Sequence, residues 1–442
     1  MAMTDVFGQS WDGRRVGVIG LGRSGLAAAR LLCRVGARVQ ATDAKDNDDL
    51  QAAQATLRRL GVEQVELSAS SPQALEGADL LVVSPGVPES AAPFRWAEDH
   101  GVPIISEIEL AFHFCRSPVI AVTGTNGKST AVSLIAEVLR AAGQPAVACG
   151  NIGTPFSAVL DRLTSDAVAV VEVSSFQLLG CERFQPRVGV LLNIGMNHLD
   201  RHPDPAAYLA AKARLFERQT PKDWAVLNGA DPRIVVLGER LHAQRIWFGD
   251  EDERPNPPAF RLAPQTRRAL TDNAQAVLQV ARLFGVADPL TWQVLRAFRG
   301  LEHRLERVAT IRGLHFVNDS KSTTPDSTLY ALSQIPGSVV VILGGRDKGL
   351  DFAALSARLH EARVRGVVLI GEARSRLRPL LNGTTTVRER ETLEEAVQDA
   401  AALAAPGTTI LFSPACASFD MFRDFEDRGR RFKAVVAGMS GA

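Results

Sequence analysis

Short apolar runs rich in valine, isoleucine and leucine recur along the chain, and most end at glycine or a polar residue. Arg15–Ile19, Ala37–Thr42, Asp79–Ser84, Val119–Thr123, Ala167–Glu172 and Val188–Ile194 predict strands in the earlier part. Leu314–Val317, Val339–Leu343, Gly366–Ile370 and Thr408–Phe412 predict more towards the end. Their β-branched, largely apolar character is that of strands covered on both faces. Helices are expected between them, among them Leu26–Val35, Glu107–Cys115 and Lys128–Leu139. Strand, helix and strand in alternation is the pattern of an α/β protein with parallel sheets. At 442 residues the chain exceeds one ordinary core,. The helical link at Glu107 puts a first domain boundary near residue 105, and Gly300–Glu306 closes a second domain. Three domains are therefore expected, 1–105, 106–301 and 302–442, the outer two Rossmann-like and the central one a P-loop-type ATPase domain. The charged, proline-rich Asp250–Pro258 reads as a surface loop,.

The chemistry is expected where strands end. Gly20-Leu-Gly22-Arg23-Ser24-Gly25 is G-x-G-x-x-G between a strand and a helix, and Asp43 closes the next strand. Alone it points to a nicotinamide dinucleotide with Asp43 on the ribose, although the same glycines can cradle a UDP pyrophosphate. A second loop, Gly124-Thr125-Asn126-Gly127-Lys128-Ser129-Thr130, joins a strand to a helix N-terminus, with Val122 at the place of the generic pattern's first glycine. Turn amides and the helix dipole can converge there on phosphate. Lys128 can reach the β- and γ-phosphates, and the Ser129 hydroxyl can ligate Mg²⁺. Ser84-Pro85-Gly86 turns at another strand end, and Gly150-Asn151-Ile-Gly153 is a glycine-bracketed turn. Glu172 ends an apolar run, where a carboxylate is expensive to bury unless paired or on a metal. His198 follows a strand in a loop, a position that favours function.

These stretches resemble the Mur ligases, the amide-forming enzymes of peptidoglycan precursor synthesis, and the related folylpolyglutamate synthases. The resemblance rests on Gly-Thr-Asn-Gly-Lys-Ser-Thr at 124–130, on Glu172-Val-Ser174-Ser-Phe-Gln177, and on Asn193 through His198-Leu-Asp-Arg201 with a following helix that carries Lys212. It implies that Ser129 and Glu172 ligate one Mg²⁺, that His198 supports a second, and that Lys212 carries a CO₂-derived carbamate as a metal ligand. It implies that Gly22, Arg23, Ser24, Asp43, Ser84, Pro85, Gly86, Asn151, Ser174 and Gln177 hold a UDP-linked substrate. Asn273, Arg304 and Asp319 join the 124–130 loop on ATP. Lys321 and Lys348 act beside Lys128, His198 and Lys212 in catalysis. The 318–323, 344–349 and 413–429 loops resemble the branch that adds D-glutamate, with Thr323, Lys348, Ser418 and Phe425 around that amino acid. The implied partners are UDP-N-acetylmuramoyl-L-alanine, D-glutamate and ATP, with a monomeric chain. Two positions depart from the family. Asn197 stands where Asp is general, and Arg267–Asn273 keeps only the last Asn of G-x-H-N-x-x-N.

Charge and composition narrow the alternatives. Fifty basic against 49 acidic residues give no global field for nucleic acid or an anionic membrane,. No apolar run is long enough to span a bilayer, and the first residues carry no signal-peptide pattern,. Five scattered cysteines without a C-x-x-C pair suit a reducing cytoplasm,. A nicotinamide-dependent oxidoreductase accounts for the first glycine loop and leaves the Lys128 loop idle. A P-loop motor or switch accounts for the central domain alone. A ligase adding L-glutamate or another amino acid is the nearer alternative.

Overall fold

β1 (Arg15–Ile19) is the hub of the first of three sheets. β2 (Arg38–Thr42) and β3 (Gln64–Glu66) lie to one side of it, β4 (Leu80–Val83) and β5 (Ile104–Ser106) to the other, and all five strands are parallel. The direction of strand progression reverses between β1 and β4, which opens a crevice at their C-terminal ends. This computed structural model describes residues 4–68, 72–195, 202, 204–249, 271–298, 300–347, 349–383 and 386–439.

The second sheet holds β6 (Val119–Thr123), β7 (Ala146–Gly150), β8 (Val168–Glu172), β9 (Val188–Leu191), β10 (Trp224–Asn228) and β11 (Gln244–Phe248). Its order is β11-β10-β9-β6-β8-β7, again parallel throughout. β6 is flanked by β8 and β9, so the ends of all three meet at one place. Its side chains are buried on both faces, as the valine-rich sequence predicts. Ile120 and Val122 pack with Leu134, Ile135 and Val138 of the helix Lys128–Ala141, while Ala121 joins Phe156 and Phe184 on the other face. Each such large side chain contributes about 1.5–3 kcal/mol by leaving water.

The third sheet comprises β12 (Glu306–Ile311), β13 (Leu314–Asn318), β14 (Val339–Gly344), β15 (Val364–Ile370), β16 (Val387–Glu389) and β17 (Thr409–Phe412), in the order β12-β13-β17-β14-β15-β16. Only β12 is antiparallel, paired with β13 through a register shift at Arg307/Ala309. The chain divides into two compact units, Met1–Phe298 with the first two sheets and Arg299–Ala442 with the third. No helix among the described residues is long and apolar enough to cross a membrane.

The predicted strands are present with small shifts at their ends. The run Val188–Ile194 leaves the sheet after Leu191, because Asn193 turns its side chain onto the neighbouring loop. The helical link is capped by Ser106, whose hydroxyl accepts from Glu109 N. All five cysteines are free thiols, four of them buried and Cys33 half-buried.

Candidate functional site

A cavity of about 740 Å³ opens at the C-terminal ends of β1, β2 and β4. Gly22, Arg23, Ser24, Asp43, Ser84, Pro85 and Gly86, all expected from the sequence to hold one ligand, line it together. Gly20 has φ +82°, and a Cβ on Gly25 would stand 1.7 Å from Gly20 O, so the turn and the helix behind it require glycine at both places,. The Ser84 hydroxyl donates to Gly20 O at 2.7 Å, tying the β4 turn to the glycine loop. Asp43 accepts from Leu21 N at 2.7 Å and from Lys45 N at 2.9 Å, so its carboxylate also shapes the loops around the cavity. Lys45, Asn47 and Asp49 line the same cavity. Sequence reading missed them, because they follow the strand end without a motif of their own.

A second cavity of about 530 Å³ shares Ser84, Pro85 and Val87 with the first and reaches Gln177. Ser174 and Gln177 form a reciprocal capping box on the short helix Ser175–Leu179, with the Ser174 hydroxyl donating to Gln177 Oε1 at 3.0 Å. Asn151 Nδ2 donates to Glu172 Oε1 at 3.1 Å, and Glu172 is buried at the end of β8.

The loop after β6 carries two lysines on one carbonyl. Lys128 Nζ donates to Gly124 O and to Thr125 O, each at 2.8 Å, and Lys212 Nζ donates to the same Gly124 O at 3.0 Å. Lys212 comes from the helix Pro205–Ala213, is fully buried, and stands 4.4 Å from the Tyr208 ring centre. Burial, then the nearby Lys128 charge, push its amine well below the usual lysine range, against the opposing pull of Glu172,. Gly124 and Gly127 have φ +148° and +82°, and Asn273 Nδ2 donates to Gly127 O at 3.3 Å. Ser129 is buried in the first turn of the following helix, whose amides have no intrahelical acceptor,. Thr125 N and Asn126 N do not join them, since both donate to Asn193 Oδ1, at 3.1 and 2.9 Å. Of the turn amides expected to converge on phosphate, these two are turned onto Asn193. Buried His202 meets Ser175 Oγ at 2.9 Å and stacks on Phe176, a contact the sequence did not single out. His198 and Asn197 lie outside the described residues, as does the 267–270 stretch. Among the described residues no three His, Cys, Asp or Glu side chains are grouped to hold a metal.

In the second unit, the loops after β13 and β17 meet the start of the helix Phe425–Met439. Asp319 accepts from Ser322 Oγ at 2.5 Å, Ser413 Oγ at 2.8 Å and Leu305 N at 3.1 Å. Burial outweighs these bonds and the Arg304 charge, and pushes its carboxyl up to about 6. Lys321 Nζ lies 5.6 Å from the Phe425 ring centre, and Ser320 Oγ donates to Phe425 O at 2.8 Å. Ser418 is buried and Thr323 half-buried. Lys348 lies outside the described residues. Arg428, also missed from sequence, is wholly buried and donates to Ser320 O at 2.7 Å and Cys416 O at 3.0 Å. Burial lowers its guanidinium to about 10, still protonated at neutral pH.

Three family models match in chain order: the Mur ligase MurD-like N-terminal domain over 14–106, the Mur ligase middle domain over 122–272, and the Mur ligase glutamate ligase domain over 303–416. Proteins of Solibacter usitatus and Desulfosudis oleivorans, each named UDP-N-acetylmuramoylalanine–D-glutamate ligase, are 40% and 39% identical. The first comparison covers 97% of this chain and 98% of the relative, the second 96% of each. The fold is similar to the crystal structure of the UDP-N-acetylmuramate-alanine ligase MurC from Thermotoga maritima, with a TM-score of 0.59 at 18% identity over 96% of this chain and 99% of that one. It is also similar to MurF from Acinetobacter baumannii, with a TM-score of 0.55 at 17% identity over 97% and 93%.

Proposed function

The chain belongs to the Mur ligase family, and from that membership we propose that it is an ATP-dependent ligase joining D-glutamate to UDP-N-acetylmuramoyl-L-alanine in cytoplasmic peptidoglycan precursor synthesis. The observation that carries the reading is the pair of separate nucleotide-type sites within one unit. A roomy glycine-framed cavity stands at β1 and β4, and a lysine-bearing loop follows β6. A dehydrogenase has no use for the second. We assign the first to the UDP-linked substrate and the second to ATP, with domains at 1–105, 106–301 and 302–442.

A carboxylate resists nucleophiles because its charge is delocalised and oxide is a poor leaving group. Transfer of the γ-phosphoryl group to the alanine carboxylate gives an acyl phosphate and ADP. Attack by the glutamate amine then gives a tetrahedral intermediate, which expels inorganic phosphate and leaves the amide. Lys128 offsets charge on the transferring phosphoryl group. Ser129 and Glu172 supply buried oxygen donors of the kind a hard cation takes, and they would hold Mg²⁺,. When bound, that ion supplies neutralisation of the phosphate charge. His198 is assigned to a second ion.

The depressed amine of Lys212 supports its assignment as a carbamate. A neutral amine adds to CO₂, forming the N–C bond and releasing one proton, and the product is an anionic oxygen ligand. In the second unit Arg304, Asp319 and Lys321 are assigned to phosphate and its transfer. Lys348, Thr323, Ser418 and Phe425 are assigned to D-glutamate. Inverting that chiral centre cannot satisfy both carboxylates and the attacking amine together.

The test is phosphate release from ATP with UDP-N-acetylmuramoyl-L-alanine across D-glutamate, L-glutamate, lysine and diaminopimelate. D-Glutamate should be strongly preferred. A better rate with any other amino acid sinks the branch assignment, and no release with any of them sinks the ligase reading.

A further inference from the structure

We infer that Asn193 is a positioning residue for the nucleotide, the group that holds the 125–126 segment of the phosphate loop in its binding shape. The inference rests on the assignment of the 124–130 loop to ATP.

Asn193 lies just past the end of β9, and nothing in the expected chemistry uses it. Its carboxamide grips one residue of the neighbouring loop twice: Oδ1 accepts from Asn126 N at 2.9 Å, and Nδ2 donates to Asn126 O at 3.1 Å. The same Oδ1 also accepts from Thr125 N at 3.1 Å, while Asn193 O accepts from Thr125 N at 3.0 Å. Two N–H donors on one side and a carbonyl on the other fix which end of the amide is oxygen. A carboxamide alone among short side chains can accept and donate in one plane in this way. Asp lacks the donor and Ser lacks the reach.

The two loops also meet beyond this carboxamide. Gly195 N donates to Thr125 Oγ1 at 2.8 Å. A Cβ on Gly124 would stand 3.0 Å from Leu192 Cβ and 3.3 Å from Asn193 N. The phosphate loop is thus built on the exit of β9, and Asn193 is the rivet. Four consecutive loop positions must stay in place: Gly124 O receives both lysines, Thr125 and Asn126 are gripped by Asn193, and Gly127 is held by Asn273. Without the carboxamide the Thr125–Asn126 peptide can rotate, and Lys128 and the first-turn amides must reorganise before they meet phosphate. That ordering is then charged against nucleotide affinity.

The experiment compares wild type with Asn193→Ala and with Asn193→Leu, which keeps the side-chain volume and removes both polar atoms. Mg·ADP affinity is measured by calorimetry, the KM of each substrate from phosphate release, and amide exchange on the peptide containing Thr125 and Asn126. Both variants should bind Mg·ADP at least tenfold more weakly and raise the KM for ATP by a similar factor. The KM values for the UDP-linked substrate and D-glutamate should stay within about twofold, melting should be little changed, and the Asn126 amide should lose its protection. Unchanged ADP affinity in a folded variant overturns the inference. So does an equal rise in all three KM values with a lowered melting temperature, which would mark Asn193 as merely structural. If Asn193→Ala folds poorly, Asn193→Leu decides. Wild type incapable of ligation would count against the proposed function instead, while its ADP affinity relative to the variants would still decide the role of Asn193.

Discussion

Replacing Asp319 with asparagine should stabilise the second unit at neutral pH and weaken it little at acid pH. The carboxyl is buried and accepts from two serine hydroxyls and one amide, yet burial holds it at about 6 instead of 3.8. The folded form therefore binds the proton more tightly than the unfolded chain does. A carboxyl raised in this way contributes stability that is fully present below pH 3.8 and is lost as pH rises towards 6. At about 1.4 kcal/mol per tenfold change in proton affinity, the whole loss is about 3 kcal/mol, of which about 1 kcal/mol falls between pH 5 and pH 7. Asparagine is the near-isostere of the protonated acid. Its oxygen can keep the bond from Leu305 N, and its amide can donate to the Ser322 and Ser413 hydroxyls. All five tryptophans lie before residue 299, so the second unit carries no tryptophan reporter of its own. Urea unfolding at each pH, read by pulsed hydrogen exchange at one common pulse pH on peptides from β13 and β17, follows it directly. The wild-type unfolding free energy should fall from pH 4 to pH 7, and that of Asp319→Asn should fall by about 2.4 kcal/mol less. Parallel curves for the two proteins, or a variant less stable at pH 7 by as much as at pH 4, would refute the burial argument.

Two further outcomes concern the loop after β6. Lys128→Ala should cut turnover by roughly 10²–10³-fold, as loss of a transition-state charge partner does, while calorimetric binding of the UDP-linked substrate survives; near-normal ligation would move the phosphate site elsewhere. Lys212→Ala should be nearly inactive, and wild type should lose activity when CO₂ is stripped and regain it with bicarbonate. With ¹³C-bicarbonate a carbamate resonance should appear in wild type and be missing in the variant, and its presence in both would reassign the modified lysine.

Most of the sheet architecture was legible because its strands are buried on both faces and read as continuous apolar runs, with glycine or polar residues to stop them. The strands that escaped are mostly short or at sheet edges, with β10, five residues paired on both sides, the exception. β3, β5 and β16 have three residues each, too few for a period, and β12 mixes exposed with half-buried positions and buries none fully. The site was legible where backbone geometry demands a residue type, as at Gly20, Gly25, Gly124 and Gly127. It was illegible where a side chain serves another loop. Asn193 and Arg428 act on carbonyls and amides distant in sequence, and no local pattern announces such partners. Lys212 is an intermediate case: its sequence is that of an ordinary helix, and its burial against Gly124 emerges only once the sheet is assembled.

The strand orders bear on how the chain folds as it is synthesised. In the first sheet the central strand, β1, is also the first made, so each later strand finds a template already present. In the third sheet β17 lies between β13 and β14 although it is the last strand synthesised. Until Thr409–Phe412 emerge, the sheet is two fragments with unpaired, apolar edges facing each other, a state prone to aggregation. The Met1–Phe298 unit can therefore mature early in translation, whereas the second unit must wait for Thr409–Phe412. A premature stop near residue 400 would leave that whole unit without its keystone, and such a product should be soluble only as far as chaperones hold it.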